Sequence, residues 1–271
     1  MGGNSGIAKH TINYLKKNDI STLVISRKTF KNYIYNLDSI FKFIKKEKIN
    51  FIINFVAITN NKECLQNYNK SFYINSLFPY KLGKFCLKNN ISLIHLSSDF
   101  VFNGKKKNLS RINDPKLPST FYGFTKLYSE YLLSKNFKTH IYRLPMTYGK
   151  YMKKNFIPLF TKQLIENKKT YVLSDRFFSP IHADDFIDYI FKTYLIKNKS
   201  INNFKINHCS SNKLISRYSF MKLIAKKIDK EKFLLPIKSK DLKIDILNSG
   251  LYSKFSFSNN TGLSEYLKKF I

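Results

Sequence analysis

The strongest constraint on this chain is the alternation of two hydrophobic patterns along its first half. Ile7, Ile12 and Leu15 recur at helical spacing over 7–17, and residues 21–27 (STLVISR) follow as a compact apolar run rich in β-branched side chains. The pair then repeats. Helical patterns over 40–47, about 72–88 and about 122–134 are each followed by a strand-like run, at 51–57, 91–96 and 139–144. Parallel strands need long crossovers, and strands covered on both faces read as continuous apolar runs. The expected fold class is therefore α/β, a doubly wound parallel sheet. After Tyr148 and Gly149 the elements become shorter and mixed, with helices expected over 157–167, 184–195, 217–229 and 263–270 and strand-like runs at 170–173 and 203–207. That change of rhythm points to a smaller second lobe, joined without a low-complexity linker.

Composition closes off several alternatives. At 271 residues with 43% hydrophobic side chains, the chain can bury a sizeable core. Its apolar runs fall far short of the ~20 residues a membrane helix needs, so no membrane span is expected. The opening Met-Gly-Gly-Asn-Ser lacks a basic segment followed by an apolar one, which argues against secretion and for a cytoplasmic setting. The net charge is +31, yet only Arg27, Arg111, Arg143, Arg176 and Arg217 among the 48 basic residues are arginine. Nucleic-acid readers draw heavily on arginine's planar fork. Here scattered lysines and short clusters such as Lys45, Lys46 and Lys48, or Lys105 to Lys107, read as solvated faces, and no nucleic-acid partner is expected. Cys64, Cys86 and Cys209 are odd in number and far apart, and the five histidines show no ligand spacing, so neither a disulfide framework nor a metal site is expected.

Three features carry chemistry. Gly2, Gly3, Ser5 and Gly6 directly precede the first helix, where a tight turn and free N–H groups can hold a pyrophosphate. The strand-like run after that helix ends in Arg27 and Lys28. A cation there suits the 2′-phosphate of NADP, whereas a carboxylate would suit the ribose hydroxyl of NAD. Next, Tyr122 and Lys126 stand at i and i+4 where a helix opens, on one face. A phenol is a poor proton carrier near pH 7, and a fixed ammonium nearby would lower its pKa and fit it to exchange a proton with a carbinol oxygen. Finally, Ser98 ends a strand 24 residues before Tyr122. A hydroxyl at the carboxyl edge of a parallel strand faces the crevice where ligands bind, so Ser98 could hydrogen-bond the oxygen that Tyr122 protonates.

The ordered set LSSDFVFNG (96–104), NDPKLPSTFYGFTK (113–126), IYRLP (141–145) and TYG (147–149) resembles the extended short-chain dehydrogenase/reductases, most closely the dTDP-4-dehydrorhamnose reductase-like branch. NFVAIT (54–59), Asn75 in YINSL and RFFSPIHADD (176–185) fit the same pattern. The resemblance implies a Rossmann-type sheet over 1–150, with part of 175–200 returning to it, and a substrate-binding lobe over most of 151–271. It assigns catalytic roles to Ser98, Tyr122 and Lys126. It places Gly2, Ser5, Gly6, Ile7, Arg27, Val56, Ala57, Thr59, Asn75 and Lys126 at the cofactor, and Asp99, Phe100 and Arg176 at the substrate. It implies NADP(H) rather than NAD(H), a nucleotide-sugar substrate within polysaccharide biosynthesis, and a homodimer. An NAD-dependent sugar-nucleotide epimerase or dehydratase, and a non-catalytic binding subunit of the same fold, stay open as alternatives.

Departures from the pattern are specific. The glycine loop reads either Gly2, Ser5, Ala8 or Gly3, Gly6, Lys9, and Val56 replaces the first member of an Ala-Ala pair. Only Met1 precedes Gly2, so the first strand of the sheet is expected to be missing and its neighbours to lose ladder partners. Asp184 and Asp185 are read as capping a helix start, Arg143 as either an ion pair or a site residue, and Phe72, Tyr73, Phe78 and Tyr80 as core or subunit-interface aromatics.

Overall fold

A computed structural model describes residues 1–105, 108–136, 138–153, 155–195, 200–242, 248–254, 259–268 and 270; Lys106 and Lys107 of the short basic cluster lie outside it. The chain opens with α1 (Gly6–Lys17) and α2 (Leu37–Lys46), then β1 (Phe51–Asn54). The expected helix over 72–88 starts earlier and is interrupted: α3 (Asn61–Gln66) and α4 (Tyr68–Phe72) lead through a π-helical turn, Tyr73–Leu77, into α5 (Phe78–Lys88). β2 (Ser92–Ser98), α6 (Phe121–Leu133) and β3 (Thr139–Leu144) follow.

The second half holds β4 (Thr147–Tyr148), α7 (Phe156–Ile165), β5 (Thr170–Leu173), β6 (Phe177–Phe178), β7 (Ile181–His182) and α8 (Ala183–Ile190). It continues with β8 (Lys205–His208), β9 (Ile215–Ser216), α9 (Arg217–Lys227), β10 (Leu234–Ile237) and α10 (Asn259–Leu267).

The central sheet is parallel in the order β1-β2-β3-β8. Strand periodicity sorts its side chains onto two faces. Ile52, Leu93 and Ile141 pack with Ile40 and Ile44 of α2 and Phe78 and Leu82 of α5. Ile94, Tyr142 and Leu144 face the other way, against Leu15 of α1 and Phe186, Ile187 and Ile190 of α8. Both faces are therefore covered by helices, as the apolar runs required, and α8 returns the chain to the sheet after residue 180. A separate core gathers Ile157, Leu164, Val172, Phe220, Ile224 and Leu263 from the later elements.

Residues 21–27 are not a strand, contrary to expectation. A strand is held by its ladder, and among the described residues the long-range main-chain bonds of this segment are made at Ile25, whose carbonyl accepts from Gly2 (2.8 Å) and Gly3 (3.2 Å); the Ser26 carbonyl accepts only locally, from Thr29 and Phe30. On the other side Met1 donates its amino group to the Ile53 carbonyl at 3.0 Å and accepts from the Phe55 N–H at 3.1 Å. Residues 1–3 are thus a short bridge between two segments that otherwise stand apart. Beside it lies a mainly apolar cavity of about 170 Å³, lined by Ile12 and Leu15 of α1, Leu23 and Ile25, and Ile52 and Ile53 of β1.

Candidate active site

The carboxyl ends of β1, β2 and β3 and the start of α6 form one corner of the molecule. Thr120 caps α6, accepting from the Gly123 N–H at 3.0 Å. A side chain at Gly123 would lie 2.1 Å from the Phe100 carbonyl oxygen, so only glycine lets the helix start press onto the turn after β2. That approach brings Tyr122 against Ser98, to which its phenol is hydrogen-bonded, with the Phe100 ring edge-on at 5.8 Å. Residues 24 positions apart are joined by packing at a glycine.

Protons are arranged differently from the sequence expectation. Ser98 donates to Asp99 Oδ1 at 2.8 Å and accepts from the Phe100 N–H at 3.3 Å. Burial pushes the Tyr122 phenol well above its usual value; Ser98 opposes this, and the charge of Asp99 adds to it. Lys126 is not among the groups that set it, so the expected lowering by the ammonium is corrected. The reason is where the lysine goes. Its Nζ lies 3.0 Å from His95 Nε2, inside the layer between β2 and α6, and the side chain is 1% exposed. A phenol held protonated at neutral pH is nevertheless the form that can donate a proton. Burial also lifts the Asp99 carboxyl to about 6, against the opposing Ser98 hydrogen bond.

The residues expected at a cofactor surround the first turn of α1. Gly2 has φ +81° and lies so close to Phe55 and Val56 that a Cβ would come within 3.0 Å of their backbone. A Cβ on Gly6 would meet Met152 Sδ at 2.5 Å. Ser5 caps α1 by accepting from the Ala8 N–H at 3.2 Å, and Ala8 is buried. Arg27 is exposed, and its charge reaches Tyr33, whose phenol bonds the Gly2 backbone. Val56 is buried, Ala57 half-buried and Thr59 exposed. Asn75 is fully buried and acts at one remove: it accepts from the Ile58 N–H (2.8 Å) and donates to the Ile58 carbonyl (2.9 Å) and to Thr125 (3.1 Å), fixing the turn after β1. A cradle closed to Cβ atoms, a capped helix start and an exposed arginine beyond it fit a dinucleotide phosphate.

Next to Asp99, Arg176 and Arg217 come together. The Arg217 N–H bonds the Arg176 carbonyl at 2.9 Å, and the two guanidiniums feel each other's charge. Arg217 is largely desolvated and lies over the Phe156 ring at 5.1 Å, and its pKa is lowered to about 10. Among the described residues, its Nε and Asp99 Oδ2 have no hydrogen-bond partner. Sequence reasoning missed Arg217 and Tyr33, though the scarcity of arginine was a usable signal for the former. Arg143 is no site residue: its guanidinium forks onto buried Glu130 (2.9 and 2.6 Å). Asp184 and Asp185 occupy the first turn of α8, and Asp184 pairs with His10 at 2.6 Å. Among the described residues, no group of three His, Cys, Asp or Glu is placed to hold a metal.

A helix-covered parallel sheet with polar groups at its strand ends defines an α/β protein of the doubly wound, Rossmann-type class. The RmlD substrate binding domain family matches residues 1–254, and the chain belongs to that family. It is similar to the spore coat polysaccharide biosynthesis protein SpsK of Bacillus subtilis, at 26% identity over 70% of this chain and 65% of that protein. It is also similar to the dTDP-4-dehydrorhamnose reductase of Aggregatibacter actinomycetemcomitans, at 25% identity over 69% and 64%. The chain thus spans just under two thirds of these curated relatives. A solved dTDP-4-dehydrorhamnose reductase from Bacillus anthracis, in complex with NADP, shares the fold with a TM-score of 0.87 at 20% identity, covering 100% of this chain and 98% of that one.

Proposed function

We propose that this protein is an NADP(H)-dependent oxidoreductase that reduces the keto group of a nucleotide-activated sugar in polysaccharide biosynthesis. The observation that carries this reading is the junction of Ser98 and Tyr122 at a strand end, supported by the close-packed glycines before α1 and by two arginines whose charges reach each other beside Asp99. A nicotinamide held beside Val56 and Ala57 would supply the hydride. Tyr122, kept protonated by burial, donates to the carbonyl oxygen, and Ser98 orients that oxygen. Lys126 would hold the ribose hydroxyls, and Arg27 would favour NADP over NAD. Arg176 and Arg217 suit a diphosphate, which planar guanidiniums grip in bidentate fashion, while Asp99 and Phe100 would border the sugar.

In this reading, residues up to about 150, with α8, form the cofactor domain and the later core forms the substrate lobe. The buried, unpaired Cys64, Cys86 and Cys209 accord with a cytoplasmic setting. Exposed Phe124 and Tyr131 on α6, with the Tyr128 ring stacked on the first and tilted against the second, offer a face for a second copy, which light scattering would detect as a doubled mass.

The test is NADPH consumption with dTDP-4-dehydrorhamnose. Loss of the phenol in Tyr122→Phe should lower kcat by roughly 10²- to 10⁴-fold, the usual worth of a positioned general acid, while NADPH still binds. Equal turnover by the two proteins would reject the reading.

A further inference from the structure

His95 is the one fully buried imidazole in contact with Lys126, and its hydrogen bonds fix where its proton sits. Asn54 Oδ1 accepts from the Val56 N–H at 3.1 Å, so its Nδ2 end faces His95 Nδ1 at 3.2 Å. Nδ1 must therefore accept. Burial pushes the His95 pKa well below its usual value, so the ring is neutral and its single proton is on Nε2. That N–H points at two atoms, Ser129 Oγ (3.2 Å) and Lys126 Nζ (3.0 Å). Ser129 gives its own proton to the Lys126 carbonyl at 2.7 Å and is left as an acceptor.

Lys126 Nζ therefore faces a donor. An amine can accept that proton through its lone pair, whereas an ammonium would set donor against donor in a buried layer. The other charged group near it does not change this. Glu130, one turn further along α6, is forked by Arg143 of β3 and accepts from Ser97 at 2.6 Å. Tyr122 lies one turn earlier and faces Ser98, Asp99 and Cys64.

We propose that His95 is a positioning residue that holds Lys126 inside the fold as a free amine, from which a hydroxyl-bearing ligand draws it out as an ammonium. The inference rests on the reading of Lys126 as a cofactor-facing lysine. The proton gained on leaving comes from solvent, and the lysine exchanges one donor for acceptors that an ammonium can use. Burial lowers the pKa of the inward lysine to about 7, with Glu130 opposing, which agrees with the amine form above neutrality. The sign follows. Below pH 7 the lysine is already charged and the ligand gains nothing from pH. Above it, binding must take up a proton, and affinity falls by up to about tenfold per pH unit.

Two measurements test this, one of them without any ligand. In the free protein, NMR of the lysine side chains should show Lys126 titrating near 7, and His95→Gln, whose carbonyl oxygen can accept from an ammonium, should move that titration upward, burial still holding it below the ordinary lysine range. In binding, the affinity for NADP⁺ should fall between pH 7 and 9 in the unaltered protein, fall less steeply in His95→Gln and stay flat in Lys126→Met. An ordinary Lys126 titration, or the same pH slope with and without His95, would overturn the proposal. Absence of NADP⁺ binding at pH 7 would instead overturn the cofactor reading, and the titration would still decide the role of His95.

Discussion

The two sides of the central sheet's first half are built to different standards. Around β2, β3 and α6 buried polar groups are tied into a chain: Ser97 and Arg143 share Glu130, Arg143 also reaches His208 at 3.2 Å, and His208 in turn donates to the Tyr252 carbonyl, while Thr139 Oγ1 and Asp99 Oδ2 have no partner among the described residues. Around residues 1–3, 21–27 and β1, the connection is one short bridge beside a cavity. The candidate proton donor stands on the first side and the expected phosphate cradle on the second. The proton donor thus stands beside a connected polar network, while the expected cradle depends on a short main-chain bridge.

The largest test of this contrast is Arg143→Leu. It leaves Glu130 buried, 3% exposed, without its counter-charge, and should cost about 3–5 kcal/mol, seen as a lower urea midpoint. A mutation that proved neutral would show the network to be dispensable. A middle-sized test sets Ile141→Ala against Ile25→Ala. Ile141 is fully enclosed, and its loss should fall near the top of the ~2–5 kcal/mol range. Ile25 already borders empty space, so its truncation removes fewer contacts and should fall near the bottom. Equal losses would mean that the cavity closes in solution.

A test by pH concerns the Met1 amino group, whose pKa is lowered by burial from 8.0 to about 5. The unfolded chain then binds the extra proton between those values. Stability of the chain with a free Met1 amine should rise from about pH 5 to about pH 8 and level off above. N-terminal acetylation should remove that part of the pH dependence, read as the difference in Tm between pH 5.5 and pH 8. Identical slopes with and without acetylation would show that the amine sits in water.

Much of this was legible beforehand because it follows from local pattern. β3 and β5 fall where their apolar runs lie, and α6 begins within one residue of its expected start, since Thr120 caps it. The order of Ser98, Tyr122 and Lys126 along the chain placed them on a strand end and a helix start. The run at 21–27 failed for the opposite reason: its composition is that of a strand, but strand pairing is a property of neighbours. The helix over 72–88 likewise acquired a π-helical turn where Asn75 and Ser76 reach across to Thr125, a long-range contact with no local signature.

What the residues alone determined is the alternation of elements, the two-faced sheet and the identity of the groups at its carboxyl edge, because periodicity and caps act over a few positions. What only the tertiary structure decided is the state of those groups. Tyr122 is raised rather than lowered, Lys126 turns to His95, and Arg217 joins Arg176, because burial and hydrogen-bond partners are set by segments distant in sequence. Proton affinity depends on that surrounding, and no spacing of residue types along the chain encodes it.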